Sequence, residues 1–447
     1  MSEADFALLK VKQDRLMSDI HHTCQWGKGE RWGKAPTETG MSRLSLSDAD
    51  KEVRDWFVET TKALGCNITV DSMGNIFAVR PGIRDGPPTF AGSHLDTQPT
   101  GGRYDGILGV TAAVEMLRVL NDHAVDTEYP VGAVNWTNEE GARFPASMVS
   151  SGVWAGEIPL ERAHQLREVG GGTATMKSEL ERIGYLGSTP ASHESIPMAA
   201  HFELHIEQGP ILEKEKRRVG IVKGVQAYRW YTVEVTGRDT HTGTTPFSAR
   251  SDPMLAASKM ILHSHRAATK MKALASTGIL TLTPGSTNTV PGSVRFSLDI
   301  RAPADETVQA MEEEIKDSFA LIASGADIGG LNQGGTQGQP CTVKIQTDSV
   351  SEAVLFHEDC INCVSDSAAS VFGSNAPSLT KPMASGAGHD SVFASKICPT
   401  SMIFIPCRDG VSHNPAEYSS PEDCAIGAQV LLGAVLRYDA LRQQNSG

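Results

Sequence analysis

In the stretch GSHLDTQPTGGRYDGILG, residues 92–109, one histidine and two aspartates stand in a glycine-rich setting directly after an apolar run. On extended backbone, positions two apart face the same way, so His94 and Asp96 lie side by side at a strand end. That pairing suits a metal-ligating imidazole and a carboxylate that fixes its tautomer. Asp105 follows on a glycine-flanked loop, where small neighbours let its carboxylate approach whatever His94 holds. A single histidine is more often a satisfied core residue than a ligand, so the weight rests on whether further ligands accumulate.

They do. NWTNEEG, residues 135–141, ends an apolar run in Glu139 and Glu140, adjacent carboxylates that extended backbone points apart. One is then free to bind metal while the other serves as a base, although alone the pair reads better as an acidic strand end in solvent. HFELHIEQG, residues 201–209, alternates His201, Glu203, His205 and Glu207 against Phe202, Leu204 and Ile206. Periodicity does not choose between His201 and His205. SGAGHDS and GVSHNPAEYSS set His389 and His413 in small-residue loops that flank the last expected strand. Two other spacings imitate metal sites without supporting one. Cys360 and Cys363 of CINC have no second CxxC and lie on an expected helix, which fits thiols facing the core. His21 and His22 are neighbours on an expected helix and point apart.

These residues need elements to hold them. Ser47 is placed to cap a helix over DADKEVRDWFVETTKALG, followed by strands at NITVDSM and IFAVRPG and by the run that ends at His94. A helix at VTAAVEMLRVLND and a strand at VGAVNWT continue an alternation characteristic of an α/β layered domain. Residues 157–197 read as helical and loop-rich, with no chemistry assigned. RWYTVEVTG, DPMLAASKMILHSHRAATK, GILTLTPG, SVRFSLDIRAP, ETVQAMEEEIKDSFALIASG and CTVKIQTDS then give β-α-β-β-α-β, a module inserted into the larger domain. The expected division is a discontinuous domain of residues 1–226 and 347–447 around an insert of 227–346. The chain closes with a helix over CAIGAQVLLGAVLRYDALR, entered through SSPED.

With 447 residues, 40% of them hydrophobic and 21% charged, two globular domains are expected, and no run is expected to be apolar and long enough to span a bilayer. The formal charge of -13 opposes nucleic acid or an anionic membrane as partner, so an anionic substrate would need a local Arg or His. The amphipathic start MSEADFALLKVKQDRLMSDI lacks the apolar core of a signal peptide, and 8 scattered cysteines fit reduced thiols. A cytoplasmic location is expected.

The motifs GSHLDT, YDGILG, NEEGARF, ELHIEQGP, HTGTTP, TNTVPG, LDIRAP, SGAGHD and SHNPAE occur in that order. The chain thereby resembles the dinuclear-zinc amidohydrolases of the hydantoinase/carbamoylase family, from about Thr39 to the C-terminal helix. That group includes β-ureidopropionases, N-carbamoyl-L-amino-acid hydrolases and allantoate amidohydrolases. Several motifs are shared with zinc exopeptidases and aminoacylases, while EEGARF and HIEQGP resemble the carbamoylase branch.

The resemblance implies a zinc-exopeptidase-like α/β catalytic domain with an inserted ferredoxin-like lid through which the chain forms a homodimer. It implies two divalent ions, zinc with manganese or cobalt as alternatives, bridged by Asp105. His94 and His205 would complete one site, Glu140 and His413 the other, and Asp96 would orient His94. Glu139 would be the general base, and the ions would acidify a shared water. His241 would donate to the oxyanion in the partner subunit's site. Gln208 and His389 would contact the ureido group or the substrate backbone. Asn288 and Arg301 would bind substrate, Arg301 clamping a carboxylate in a bidentate fork. The implied reaction is hydrolysis of an N-carbamoyl amino acid to amino acid, ammonia and carbon dioxide. Allantoate, acyl or peptide substrates on the same centre, and a non-catalytic zinc-binding interaction protein, are the alternatives. Two stretches depart from the family pattern: Pro253, at a helix start that it either shifts or enters as a first-turn proline, which helices tolerate well, and REVGGGTATM.

Overall fold

The apolar runs that precede the candidate ligands fold as strands buried along their whole length: Thr89–His94, Val131–Trp136, Ala200–Ile206 and Thr400–Ile405. In this computed structural model, which describes Phe6, residues 8–331 and residues 338–445, those four strands lie in parallel. Their order is 400–405, 200–206, 89–94, 131–136, so all four C-terminal ends emerge along one edge of the sheet. Open α/β sheets collect their ligands at that edge. Antiparallel strands widen the sheet: Ile76–Arg80 and then Asn67–Val70 beyond Val131–Trp136, and Val219–Val225 beyond Thr400–Ile405. The alternation read from the sequence lacks Val219–Val225 and its partner Thr380–Ser385.

Helices cover the sheet. Ile107–Asp122 packs on the strands 89–94, 131–136 and 200–206, and the C-terminal helix Pro421–Asn445 packs on 89–94, 200–206 and 400–405. On length and composition, the stretch Pro421–Gln444 passes as a membrane span, which corrects the expectation that no run would. Of its most apolar 18-residue window, however, 72% is buried within the protein, and Val430, Leu431 and Val435 are fully enclosed. It is the core helix of a layered domain. A second apolar cluster gathers Phe77, Phe90, Trp136 and Trp154, with Trp136 and Trp154 meeting edge to face at 5.6 Å. The helix Asp48–Ala63 begins as the sequence indicates, with Ser47 accepting from the Asp50 amide. All 8 cysteines are unpaired thiols, and Cys360 and Cys363 face the core.

The chain divides into two units, Met1–Gly224 with Leu355–Gly447, and Val225–Val354. The boundary expected at 346 would cut the strand Thr342–Ser351, which pairs with Ala227–Thr236 as far as Ser351. The division therefore falls after that strand. In the inserted unit, Leu274–Ser276, Ser293–Ala302, Ala227–Thr236 and Thr342–Ser351 form an antiparallel sheet, with Leu280–Thr283 also on Ser293–Ala302. Val294, Phe296, Leu298 and Ile300 point alternately inward to the helices Pro253–Met271 and Asp305–Ala323. Leu274–Ser276 is an addition to the expected βαββαβ order. Pro253 does not shift its helix: it occupies the first turn, where it needs no amide partner, and Asp252 caps the Leu255 amide at 3.0 Å.

Candidate active site

Both buried imidazoles at the strand ends are oriented by backbone carbonyls. His94 Nδ1 lies 2.9 Å from the Asp96 carbonyl and His205 Nδ1 lies 2.9 Å from the Ile206 carbonyl. Those bonds assign the ring proton to Nδ1 and leave each Nε2 as a lone pair. Both Nε2 atoms face one oxygen of Asp105: Oδ1 is 3.6 Å from His94 and 3.1 Å from His205. The other oxygen, Oδ2, is 3.5 Å from His413 Nε2, which in turn is 3.3 Å from Glu140 Oε2. Among the described residues, two groups thus have metal-ligand geometry, His94–Asp105–His205 and Asp105–Glu140–His413, sharing Asp105. Glu139 Oε2 lies 3.5 Å from His94 Nε2.

The residues fit a metal. His94 Nε2 is buried with no hydrogen-bond partner among the described residues, a costly state for a polar atom unless it ligates. Gly106, at φ 68°, brings the loop against that ring, where a Cβ would sit 2.4 Å from Cε1. Carboxylates crowd the centre and call for positive charge. Burial, and then Asp105, push the Glu140 carboxyl up to about 7, and burial pushes Glu139 well above the ordinary range. His413, whose side chain is half exposed, is raised to about 9 by its hydrogen bond to Asp105 against partial desolvation, with Glu140 adding to it. Asp105 is held well below the carboxylate range against its burial, because His205, His413 and His94 surround it.

His201 is excluded from the centre by its own partners, Ser391 at 3.2 Å and Trp136 Nε1 at 3.4 Å, and burial lowers it to about 4. His389 is buried with its ring 4.5 Å from that of His205 and its Nε2 3.1 Å from Ser385 Oγ. Gln208, at φ 57°, donates through Nε2 to Asp105 Oδ2 at 2.7 Å.

Asp96 departs from its expected role. Its carbonyl, rather than its carboxylate, fixes His94; the nearer carboxylate oxygen is 3.9 Å from Nδ1. The carboxylate instead receives the Glu139 and Glu140 amides at 3.2 and 3.3 Å, and so positions these two adjacent carboxylate residues together. The segment 157–197, without assigned chemistry, anchors the same loop: Arg143 donates to Glu168 at 3.0 Å and to Glu179 at 2.7 Å. Two further buried carboxylates were missed. Glu203 accepts from Ser93 and Ser391 hydroxyls, each at 2.7 Å, joining the strand of His94, its own strand and the His389 loop. The alternation of HFELHI puts it on the ligand face, a signal present in the sequence. Glu417 of SHNPAE lies beneath Asp105, which only the folded turn reveals.

The inserted unit holds the remaining candidates. His241, on the short strand Thr240–His241, is exposed and its Nδ1 accepts from Gly243 N at 3.1 Å. Asn288 is adjacent, its carbonyl receiving the Thr242 amide at 2.9 Å. Arg301 turns its fork onto Asp299, with bonds of 2.8 and 3.1 Å, and lies over the Tyr228 ring.

Residues 90–437 match the family model described as peptidase family M20/M25/M40. The chain belongs to this family. An N-carbamoyl-L-amino-acid amidohydrolase of Rhizobium meliloti is 37% identical over 430 residues, 96% of each chain. A ureidoglycolate hydrolase of Oryza sativa subsp. japonica is 32% identical over 89% of this chain and 80% of its own. A solved amidase of the hydantoinase/carbamoylase family from Burkholderia multivorans aligns with a TM-score of 0.85 at 40% identity, covering 96% of this chain and 98% of that one. The protein is an M20-family hydrolase of the hydantoinase/carbamoylase group, with a zinc-exopeptidase-like fold and a metal-dependent centre.

Proposed function

We propose that this M20-family enzyme hydrolyses the carbamoyl C–N bond of an N-carbamoyl amino acid, releasing the amino acid, ammonia and carbon dioxide. The observation that carries the reading is Asp105, whose two oxygens face separate ligand groups while Glu139 stands beside them. His94, Asp105 and His205 would hold one divalent ion, and Asp105, Glu140 and His413 the other. Mixed imidazole and carboxylate donors suit zinc and also accept manganese or cobalt. Bound ions supply Lewis acidity toward a carbonyl oxygen and acidify water.

Glu139 belongs to neither ligand group, so in this reading it takes the proton of the attacking water and passes it to the departing nitrogen. Negative charge develops on the ureido oxygen under attack, and His241 donates a hydrogen bond to it. Gln208 and His389 contact the ureido group or the substrate backbone, and Asn288 binds beside His241. Arg301 exchanges Asp299 for the substrate carboxylate, keeping a bidentate geometry and supplying local positive charge in a protein of formal charge -13. The Rhizobium meliloti relative favours an N-carbamoyl-L-amino acid; the rice relative makes a ureido acid such as ureidoglycolate the second reading. Ammonia release from N-carbamoyl-L-amino acids, their D-isomers, N-carbamoyl-β-alanine, allantoate and ureidoglycolate tests both. Highest kcat/KM on an N-carbamoyl-L-amino acid is the expected result; highest kcat/KM on ureidoglycolate or allantoate overturns it.

We also propose that two copies pair through the inserted unit and that His241 completes the site of the second copy. Glu139→Gln and His241→Ala homodimers are then each nearly inactive, whereas a purified mixed dimer regains one intact site of two. A verified mixed dimer without recovery means His241 serves its own chain.

A further inference from the structure

Glu417 is 1% exposed and holds the Asp105 loop directly through two amides, with Ser412 of its own turn as a third partner. Its Oε1 accepts the amides of Tyr104 at 2.9 Å and Asp105 at 3.0 Å. The Ser412 hydroxyl stands between two carboxylates, 3.0 Å from Glu417 Oε2 and 2.8 Å from Asp105 Oδ2, and shares its one hydrogen between them. The Asp105 residue is therefore gripped at both ends, its backbone directly and its carboxylate through Ser412. Two features of the chain make room for this. His413 adopts φ 54° and the Glu417 amide bonds back to the Asn414 carbonyl at 3.0 Å, a turn that returns the carboxylate beneath its own histidine. Gly102 leaves the space, since a Cβ there would lie 2.3 Å from Glu417 Cδ.

We infer that Glu417 is a positioning residue that sets the Asp105 carboxylate between the two ligand groups, acting by reach and not by charge. The inference rests on the reading of Asp105 as a shared metal ligand. Length is what the geometry demands, because one side chain must meet two amides and a hydroxyl at once. Glutamine preserves that span: its Oε1 can accept both amides while its Nε2 donates to Ser412 Oγ, which still donates to Asp105. Aspartate keeps the charge and loses the reach.

The test measures metal affinity by competition with a chromophoric chelator, together with the visible spectrum of the cobalt-loaded protein, in wild type, Glu417→Gln, Glu417→Asp and Asp105→Ala. Partners that orient metal ligands typically contribute about 10- to 100-fold in affinity. Glu417→Asp should lose affinity in that range and show an altered cobalt spectrum, whereas Glu417→Gln stays within about 3-fold of wild type, with thermal unfolding confirming that both fold. Equal losses in Gln and Asp, or none in Asp, overturn the inference. Ser412→Ala, which removes only the hydroxyl link, should fall between them and serves if Glu417→Asp does not fold; full wild-type affinity in Ser412→Ala then counts against it. Asp105→Ala separates the two levels: retained affinity there rejects Asp105 as a ligand, while loss there with wild-type affinity in Glu417→Asp rejects only the role of Glu417.

Discussion

The ligand group His94–Asp105–His205 and the inserted unit hold their candidate residues in opposite ways. His94, Asp105 and His205 are almost fully enclosed and each is fixed by backbone or side-chain bonds. His241 is exposed, and the Arg301 fork rests on an exchangeable carboxylate two residues away on its own strand. Groups that keep one geometry through every turnover belong on rigid strand ends in a low-dielectric setting. Groups that meet a substrate must give up one partner for another, and half-exposed positions let them do so at low desolvation cost. The two regions should therefore fail differently when altered: the enclosed one in metal binding together with kcat, the open one with metal retained, in KM at Arg301 and in kcat at His241.

The largest expected effect is at the base. Glu139→Gln should lower kcat about 100- to 10,000-fold with bound metal unchanged, whereas Glu140→Gln should lower metal content as well. Equal metal loss in both, measured by elemental analysis, would break the division between base and ligand. Arg301→Lys comes next. Replacing a fork by a point charge should raise KM for carboxylate substrates about 10- to 100-fold with metal content intact, as expected from about 1.5–3 kcal/mol for a charge-assisted bond. If a substrate amide suffers the same change, Arg301 is not the carboxylate clamp. Asp96→Asn should lower metal affinity by about 10-fold, because one of the two amides it holds would face an NH2 group; an unchanged chelator competition would return Asp96 to a purely structural role. The smallest effect is at the CxxC pair. Cys360→Ala should cost about 1–2 kcal/mol in denaturant unfolding, as for a small buried side chain, with wild-type metal content. Loss of metal there would mean that a second binding region exists.

Much of the enclosed region was legible in advance because its signals are local. An apolar run ending in His or Glu marks a strand end, and strand ends in an α/β sheet converge. Residue spacing did not separate His201 from His205, since both lie on one face; position along the strand does, with His205 at the end that meets Asp105 and His201 held further back by Ser391 and Trp136. Asp96 shows the finer limit. Strand periodicity places Asp96 on the same side as His94, but the carbonyl is what reaches the ring, which leaves the carboxylate for the Glu139 and Glu140 amides. Glu417 lies 312 residues from the amide it holds, and no local pattern carries that contact. In the inserted unit the βαββαβ order was readable from its succession of short and long apolar-patterned segments, whereas the roles of His241, Asn288 and Arg301 came only through family resemblance, because exposed polar residues have many ordinary uses.

The most direct test of the central claim is a metal titration of the chelated protein, followed by ammonia release from an N-carbamoyl-L-amino acid. The account predicts no turnover at zero metal, a rise with added zinc, manganese or cobalt, and saturation at two ions per chain. Full activity with metal content verified as nil would contradict it.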